Sequence, residues 1–145
     1  MQNRTLVKKN KSSNQVVGNV GLYDVCYELS KRGWNVLPTS RNAKGVDVVI
    51  YSQSAKRTHT LQVKALGKKD PVPLGNNLNS LVAEYMVIYR KVFDEEPEIF
   101  IAKIDEIKSN IHEGVKDGRK SYWLRPKDYI AFKDGWDKIG DGNDN

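Results

Sequence analysis

Gly45-Val46-Asp47-Val48-Val49-Ile50-Tyr51, a polar break from Ser52 to Arg57, and then His59-Thr60-Leu61-Gln62-Val63-Lys64 make up the stretch on which the fold turns. Both flanks are rich in β-branched and apolar residues, and a Ser/Gln/Lys/Arg cluster separates them, which predicts two strands joined by a loose hairpin. Alternation along a strand puts Asp47, Val49 and Tyr51 on one face, and likewise Gln62 and Lys64. An antiparallel hairpin centred on Ser54 to Lys56 sets Asp47 opposite Gln62 or Lys64, depending on register. Either register gathers a carboxylate, an amide and an ammonium at one end of a sheet. An unpaired buried charge costs several kcal/mol, so Asp47 and Lys64 must pair, meet water or hold a metal ion. A satisfied Asp–Lys pair at a sheet edge is the structural alternative to an active site.

These residues carry a resemblance. Gly45-Val46-Asp47, an apolar strand, a turn and Leu61-Gln62-Val63-Lys64-Ala65 resemble the core of the PD-(D/E)XK nuclease superfamily, in the form in which Gln replaces the second acid to give Gln-x-Lys. Upstream, Gly18-Asn19-Val20-Gly21 and Glu28 to Val36 are similar to the family's first helix and strand. Downstream, Ala83 to Tyr89 and Glu98 to Ala102 resemble its later strands, so the likeness spans roughly residues 18 to 104. It implies an α/β fold with a restriction-endonuclease-like core, a central mixed β-sheet of about four to five strands flanked by helices. The implied activity is metal-dependent hydrolysis of phosphodiester bonds in nucleic acid, DNA ahead of RNA, in a restriction, repair or mobile-element setting. The alternative is a nuclease-fold protein without catalysis, acting as a nucleic-acid-binding or protein-interaction module in defence or immunity.

The resemblance implies catalytic roles for Asp47, Gln62, Lys64 and Glu28, with Mg²⁺ (or Mn²⁺) held by Asp47, Gln62 and the Val63 carbonyl. Hard Mg²⁺ takes carboxylate, carbonyl and water oxygens. Gln62 offers a neutral amide oxygen where relatives often carry a carboxylate, which weakens metal affinity. The family's usual first-helix acid falls at Leu22, a departure, and leaves Asp24 or Glu28 as the helix carboxylate. Lys64 positions or helps deprotonate the attacking water. Arg41 and Lys44 in the loop before Asp47, and Lys68 and Lys69 after Lys64, are the expected nucleic-acid contacts. A homodimer, one subunit for each strand, is the implied assembly.

Composition agrees with an anionic partner. The chain has 145 residues, 29% charged and 39% hydrophobic, with net charge +6 and a pI near 9.3, a profile shared by nucleic-acid-processing and merely soluble basic proteins. One cysteine, Cys26, excludes an internal disulfide and a cysteine-built zinc site, and His59 and His112 lie too far apart for a zinc motif. No apolar run reaches membrane length and the N-terminus lacks an apolar targeting core, so a cytoplasmic, bacterial or phage protein is expected.

The remaining chain reads as one domain over residues 16–139, preceded by a flexible basic arm at 1–15 and followed by a disordered tail at 140–145. Val16 to Arg32 is helical and Gly33 stops it. Trp34 to Pro38, Ala83 to Tyr89 and Ile99 to Ile104 read as strands, and Gly67 to Asn77 as a long loop. Asp105 is placed as the N-cap of a short helix, Gly114 to Lys120 as a charged turn, and Tyr122 to Leu124 as a strand. Pro126 is placed at the start of a last helix whose apolar side is Tyr129, Ile130, Phe132, Trp136 and Ile139.

Overall fold

In the computed structural model, which describes residues 13–40, 44–68 and 70–145, the first element is α1 (Asn14–Lys31). It begins two residues before the expected start, because the Ser13 hydroxyl accepts from the Val16 N–H at 3.3 Å and caps the helix. The expected arm falls mainly on residues 1–12, outside the described residues. α1 ends as its sequence dictates: Gly33, at φ +87°, takes the left-handed turn that glycine adopts at low cost.

Five strands form a mixed sheet in the order β1-β2-β3-β5-β6. They are β1 (Asn35–Pro38), β2 (Val48–Tyr51), β3 (Thr58–Leu66), β5 (Tyr85–Arg90) and β6 (Glu98–Lys103). β1, β2 and β3 run as an antiparallel meander, with Val36 across from Ile50 and Ile50 across from His59. β3 then pairs in parallel with β5, Lys64 opposite Ile88, and β6 returns antiparallel. The parallel pair is long-range and gives this sheet its α/β character.

Side-chain alternation splits the core in two. Val48, Ile50, Leu61, Val63, Val87, Tyr89 and Ile101 face α1, where Val25 and Leu29 are fully buried against them. Gly21 lets the helix settle on β3, since a Cβ there would lie 2.6 Å from that of Ala65. Met86, Ile88, Phe100 and Ala102 face the opposite way. A three-stranded sheet in the order β4 (Val72–Gly75), β8 (Arg119–Leu124), β7 (His112–Lys116) covers that second side with Val72, Leu74 and Leu124.

Several sequence expectations change. The loop at 67–77 contains a strand, β4 (Val72–Gly75), paired with β8 (Arg119–Leu124). The charged turn at 114–120 is a hairpin, β7 (His112–Lys116) and β8, closing on Asp117-Gly118. The last helix is broken into α3 (Pro126–Tyr129) and two 3-10 turns, Ile130–Phe132 and Gly135–Lys138. Asp134 turns left-handed at φ +54° so that its N–H reaches the Ile99 carbonyl, and tertiary pairing with β6 outbids helix continuation.

Lys103, rather than Asp105, is the N-cap of α2 (Ile104–Lys108), because the Glu106 carboxylate accepts the Lys103 N–H at 2.9 Å. The tail expected to be disordered is tied down. Gly142 donates to the Arg32 carbonyl and accepts from the Gln53 N–H, each at 2.9 Å. Asp144 accepts from the Ser54 N–H and hydroxyl at 2.8 and 2.7 Å. No helix among the described residues is long and apolar enough to cross a membrane.

Candidate active site

At the start of β2 the regular ladder slips. Val48 is the register partner of Leu61, yet the Asp47 N–H also goes to the Leu61 carbonyl, at 2.9 Å. Asp47 therefore does not sit squarely across from Gln62 or Lys64, as simple alternation predicted. Its carboxylate lies within the ladder and accepts the Val63 N–H at 2.7 Å, in the place a main-chain carbonyl would take. A charge-assisted bond of that length fixes the carboxylate firmly.

The preceding loop explains why Asp47 stops there. Gly45 has φ +74°, and a Cβ on it would lie 2.2 Å from the Ser80 carbonyl oxygen and 2.8 Å from a Val82 methyl. Only glycine fits. The loop is clamped from the other side by Thr39, whose N–H bonds the Asp47 carbonyl at 2.9 Å and whose hydroxyl bonds the Val46 carbonyl at 2.6 Å.

Gln62 and Lys64 emerge on the sheet face opposite α1, because Leu61, Val63 and Ala65 pack on the helix side. Gln62 is 8% exposed, and its Oε1 is buried with no hydrogen-bond partner among the described residues. Leaving an amide oxygen in that state costs about 1–3 kcal/mol. Lys64 is half-buried, and burial holds its ammonium below the usual lysine range, while the nearby Asp47 charge pulls the other way. Asp47 and Lys64 thus come together, with Val63 joining through its N–H, and Gln62 shares the β3 face of Lys64.

Glu28 does not join them. α1 runs antiparallel to β3: Gly21 touches Ala65 near one end, and the Gly33 carbonyl accepts from Gln53 at the hairpin tip, at 2.6 Å. Glu28 lies on the last turn, away from Lys64, and on the other side of the sheet. There it binds Arg32 at 2.7 Å and Lys31 at 3.5 Å. Leu22 packs into the α1-side core. Asp24 is the helix carboxylate level with the site: the Tyr89 hydroxyl donates to it, and Tyr89 is the register partner of Ala65. That pairing crosses 65 residues of sequence and has no local signal.

Of the expected phosphate contacts, Lys44 and Lys68 are exposed and flank the group along the chain, one before Asp47 and one after β3. Arg41 and Lys69 lie outside the described residues. Among the described residues no group of three or more His, Cys, Asp or Glu side chains converges, and Asp47 is the one carboxylate that acts on Lys64, so a cation here would rest on that carboxylate and neutral oxygens. The orphaned Gln62 oxygen fits such a ligand. Oxygen-only donors suit a hard divalent ion.

A mixed five-stranded sheet, with a helix on one face, a small second sheet on the other and polar residues at the start of β2 and in β3, makes up a mixed α/β core. One solved structure that shares it is a bacterial homing endonuclease, I-Ssp6803I, with a TM-score of 0.59 over 88% of this chain and 93% of that one. Sequence identity is 15%, so the likeness is one of fold. No family model matches the sequence, and no curated protein does.

Proposed function

We propose that this chain is a metal-dependent nuclease of the PD-(D/E)XK kind that hydrolyses phosphodiester bonds in DNA. The observation that carries the reading is the Asp47 carboxylate anchored on the Val63 N–H and acting on Lys64, with the buried, unpartnered Gln62 Oε1 on the β3 face that Lys64 shares. Asp47, Gln62 and the Val63 carbonyl would hold Mg²⁺. When bound, such an ion neutralises phosphoryl charge and lowers the pKa of its water.

The protein's own groups supply the rest. Val63 orients Asp47 through its N–H. Lys64, whose Nζ gives up its proton more readily than an ordinary lysine because of burial, holds the attacking water and takes part in its deprotonation. Lys44 and Lys68 contact backbone phosphates. The fold shared with a homing endonuclease supports this reading.

The test is incubation of the purified chain with plasmid, linear duplex, branched DNA and structured RNA, in Mg²⁺, Mn²⁺ or EDTA, beside Asp47→Asn and Lys64→Ala. Metal-dependent cutting of DNA that both variants lose is expected. Cutting that survives either substitution refutes the site. Asp47 as the one carboxylate acting on Lys64 among the described residues favours one further reading, a nucleic-acid-binding domain without catalysis; no cutting, with parent and Asp47→Asn binding DNA equally, selects it.

A further inference from the structure

The hairpin of β7 and β8 extends past the core that holds its base. Leu124 is buried and Tyr122 partly so, but from Val115 to Ser121 every residue is exposed, Val115 at 66%. It closes on Asp117 and Gly118, both left-handed at φ +53° and +74°, the two-residue turn whose twist matches a stiff two-stranded ribbon.

Register sorts its side chains. One face carries His112 and Trp123, then Gly114 and Ser121, then Lys116 and Arg119, each pair directly cross-strand. The rings of His112 and Trp123 stack 6.2 Å apart. Gly114 leaves room for the indole, since a Cβ there would lie 2.9 Å from it. On the other face Lys120 is neutralised by Glu113 at 3.3 Å. Lys116 and Arg119 have no such partner among the described residues. Two cations opposed across a ladder repel each other and destabilise the hairpin. A polyanion would relieve that repulsion.

We infer that the β7–β8 ribbon is a second DNA-contacting element, which lays Lys116 and Arg119 on backbone phosphates of a duplex with its Trp123 face turned to the groove. This rests on the reading of the chain as a DNA-binding nuclease and adds where the duplex is gripped away from the Asp47 group. The small sheet packs on the same side of the main sheet from which Gln62 and Lys64 emerge, so ribbon and site belong to one side of the molecule. A two-stranded ribbon fits the major groove of B-DNA, about 12 Å wide. Charge complementarity is with phosphate.

The experiment measures binding of the full chain to a fluorescent duplex in EDTA across a salt series, for the parent, Lys116→Ala/Arg119→Ala, and the charge-retaining Lys116→Arg/Arg119→Lys. With about 0.9 counterions released per phosphate contact, the alanine pair should make the log–log slope shallower by about 1.8. The charge-retaining pair should keep the parent slope. A parent that binds duplex with both variants matching its slope overturns the ribbon proposal and leaves the nuclease reading standing. A parent that binds no DNA overturns both. A charge-retaining pair that folds normally yet loses the slope assigns the residues a structural role and overturns the proposal, even if the alanine pair fails to fold.

Discussion

Asp47 holds the β2–β3 ladder together through the Val63 N–H and, in the proposed nuclease, also has a chemical role, and two substitutions separate the two. Asp47→Ala removes the acceptor of the Val63 N–H, a bond of 2.7 Å. Bonds to a charged group contribute about 1.5–3 kcal/mol, and an orphaned buried donor costs about 1–3 kcal/mol, so Asp47→Ala should destabilise the fold by about 2 kcal/mol. That is a sizeable share of the roughly 5–15 kcal/mol of a typical domain. Asp47→Asn keeps an oxygen in the same place and loses only the charge assistance, about 1 kcal/mol. It also removes the one charge that holds the Lys64 ammonium up against burial. Urea unfolding should show the midpoint falling further for alanine than for asparagine at an unchanged slope. Both variants should lose DNA cleavage to the assay floor. Equal midpoints for parent and Asp47→Ala would refute the structural role, and cleavage by Asp47→Asn at the parent rate would refute the chemical one.

Other positions give independent checks. Glu98, whose side chain is 15% exposed, binds buried Arg90 through two bonds of 3.1 and 3.0 Å and also meets Lys91. The Arg90 hydrogen bonds hold its carboxyl down at about 2, against 4.5 ordinarily. A depressed acid stabilises the fold above its unfolded pKa, so about 3 kcal/mol present above pH 4.5 should drain away as pH falls toward 2, and thermal unfolding of parent and Glu98→Gln should converge there. At neutral pH Glu98→Gln leaves Arg90 buried without its counter-charge, at a cost of about 3–5 kcal/mol, readable as a urea midpoint shift. Gly45→Ala forces a Cβ to within 2.2 Å of the Ser80 carbonyl at a positive φ, so it should destabilise by about 1–3 kcal/mol and reduce cleavage at temperatures where the variant is still folded. Gln62→Glu should tighten Mg²⁺ binding by calorimetry, and an unchanged affinity would remove Gln62 from the ligand set.

Local pattern in the chain accounts for a first group of features. The two strands around Ser52 to Arg57, the end of α1 at Gly33, the buried strands near Tyr85 and Phe100, and the shared face of Gln62 and Lys64 all follow from period, turn chemistry and alternation. Asp117-Gly118 was an equally local hairpin signal, masked by the charges around it. Tertiary structure alone decided the rest, because each remaining feature joins residues far apart in the chain. The parallel pairing of β3 with β5 sets the strand order. The slip at Leu61, enforced by Gly45 against Ser80, aims Asp47 at the Val63 N–H instead of across the strand. The direction of α1 along β3 carries Glu28 away from the site and leaves Asp24 level with it. The last helix yields to β6, and the tail is held by Arg32 and Ser54. In each case a long-range contact outweighs a local preference worth only a fraction of a kcal/mol per residue.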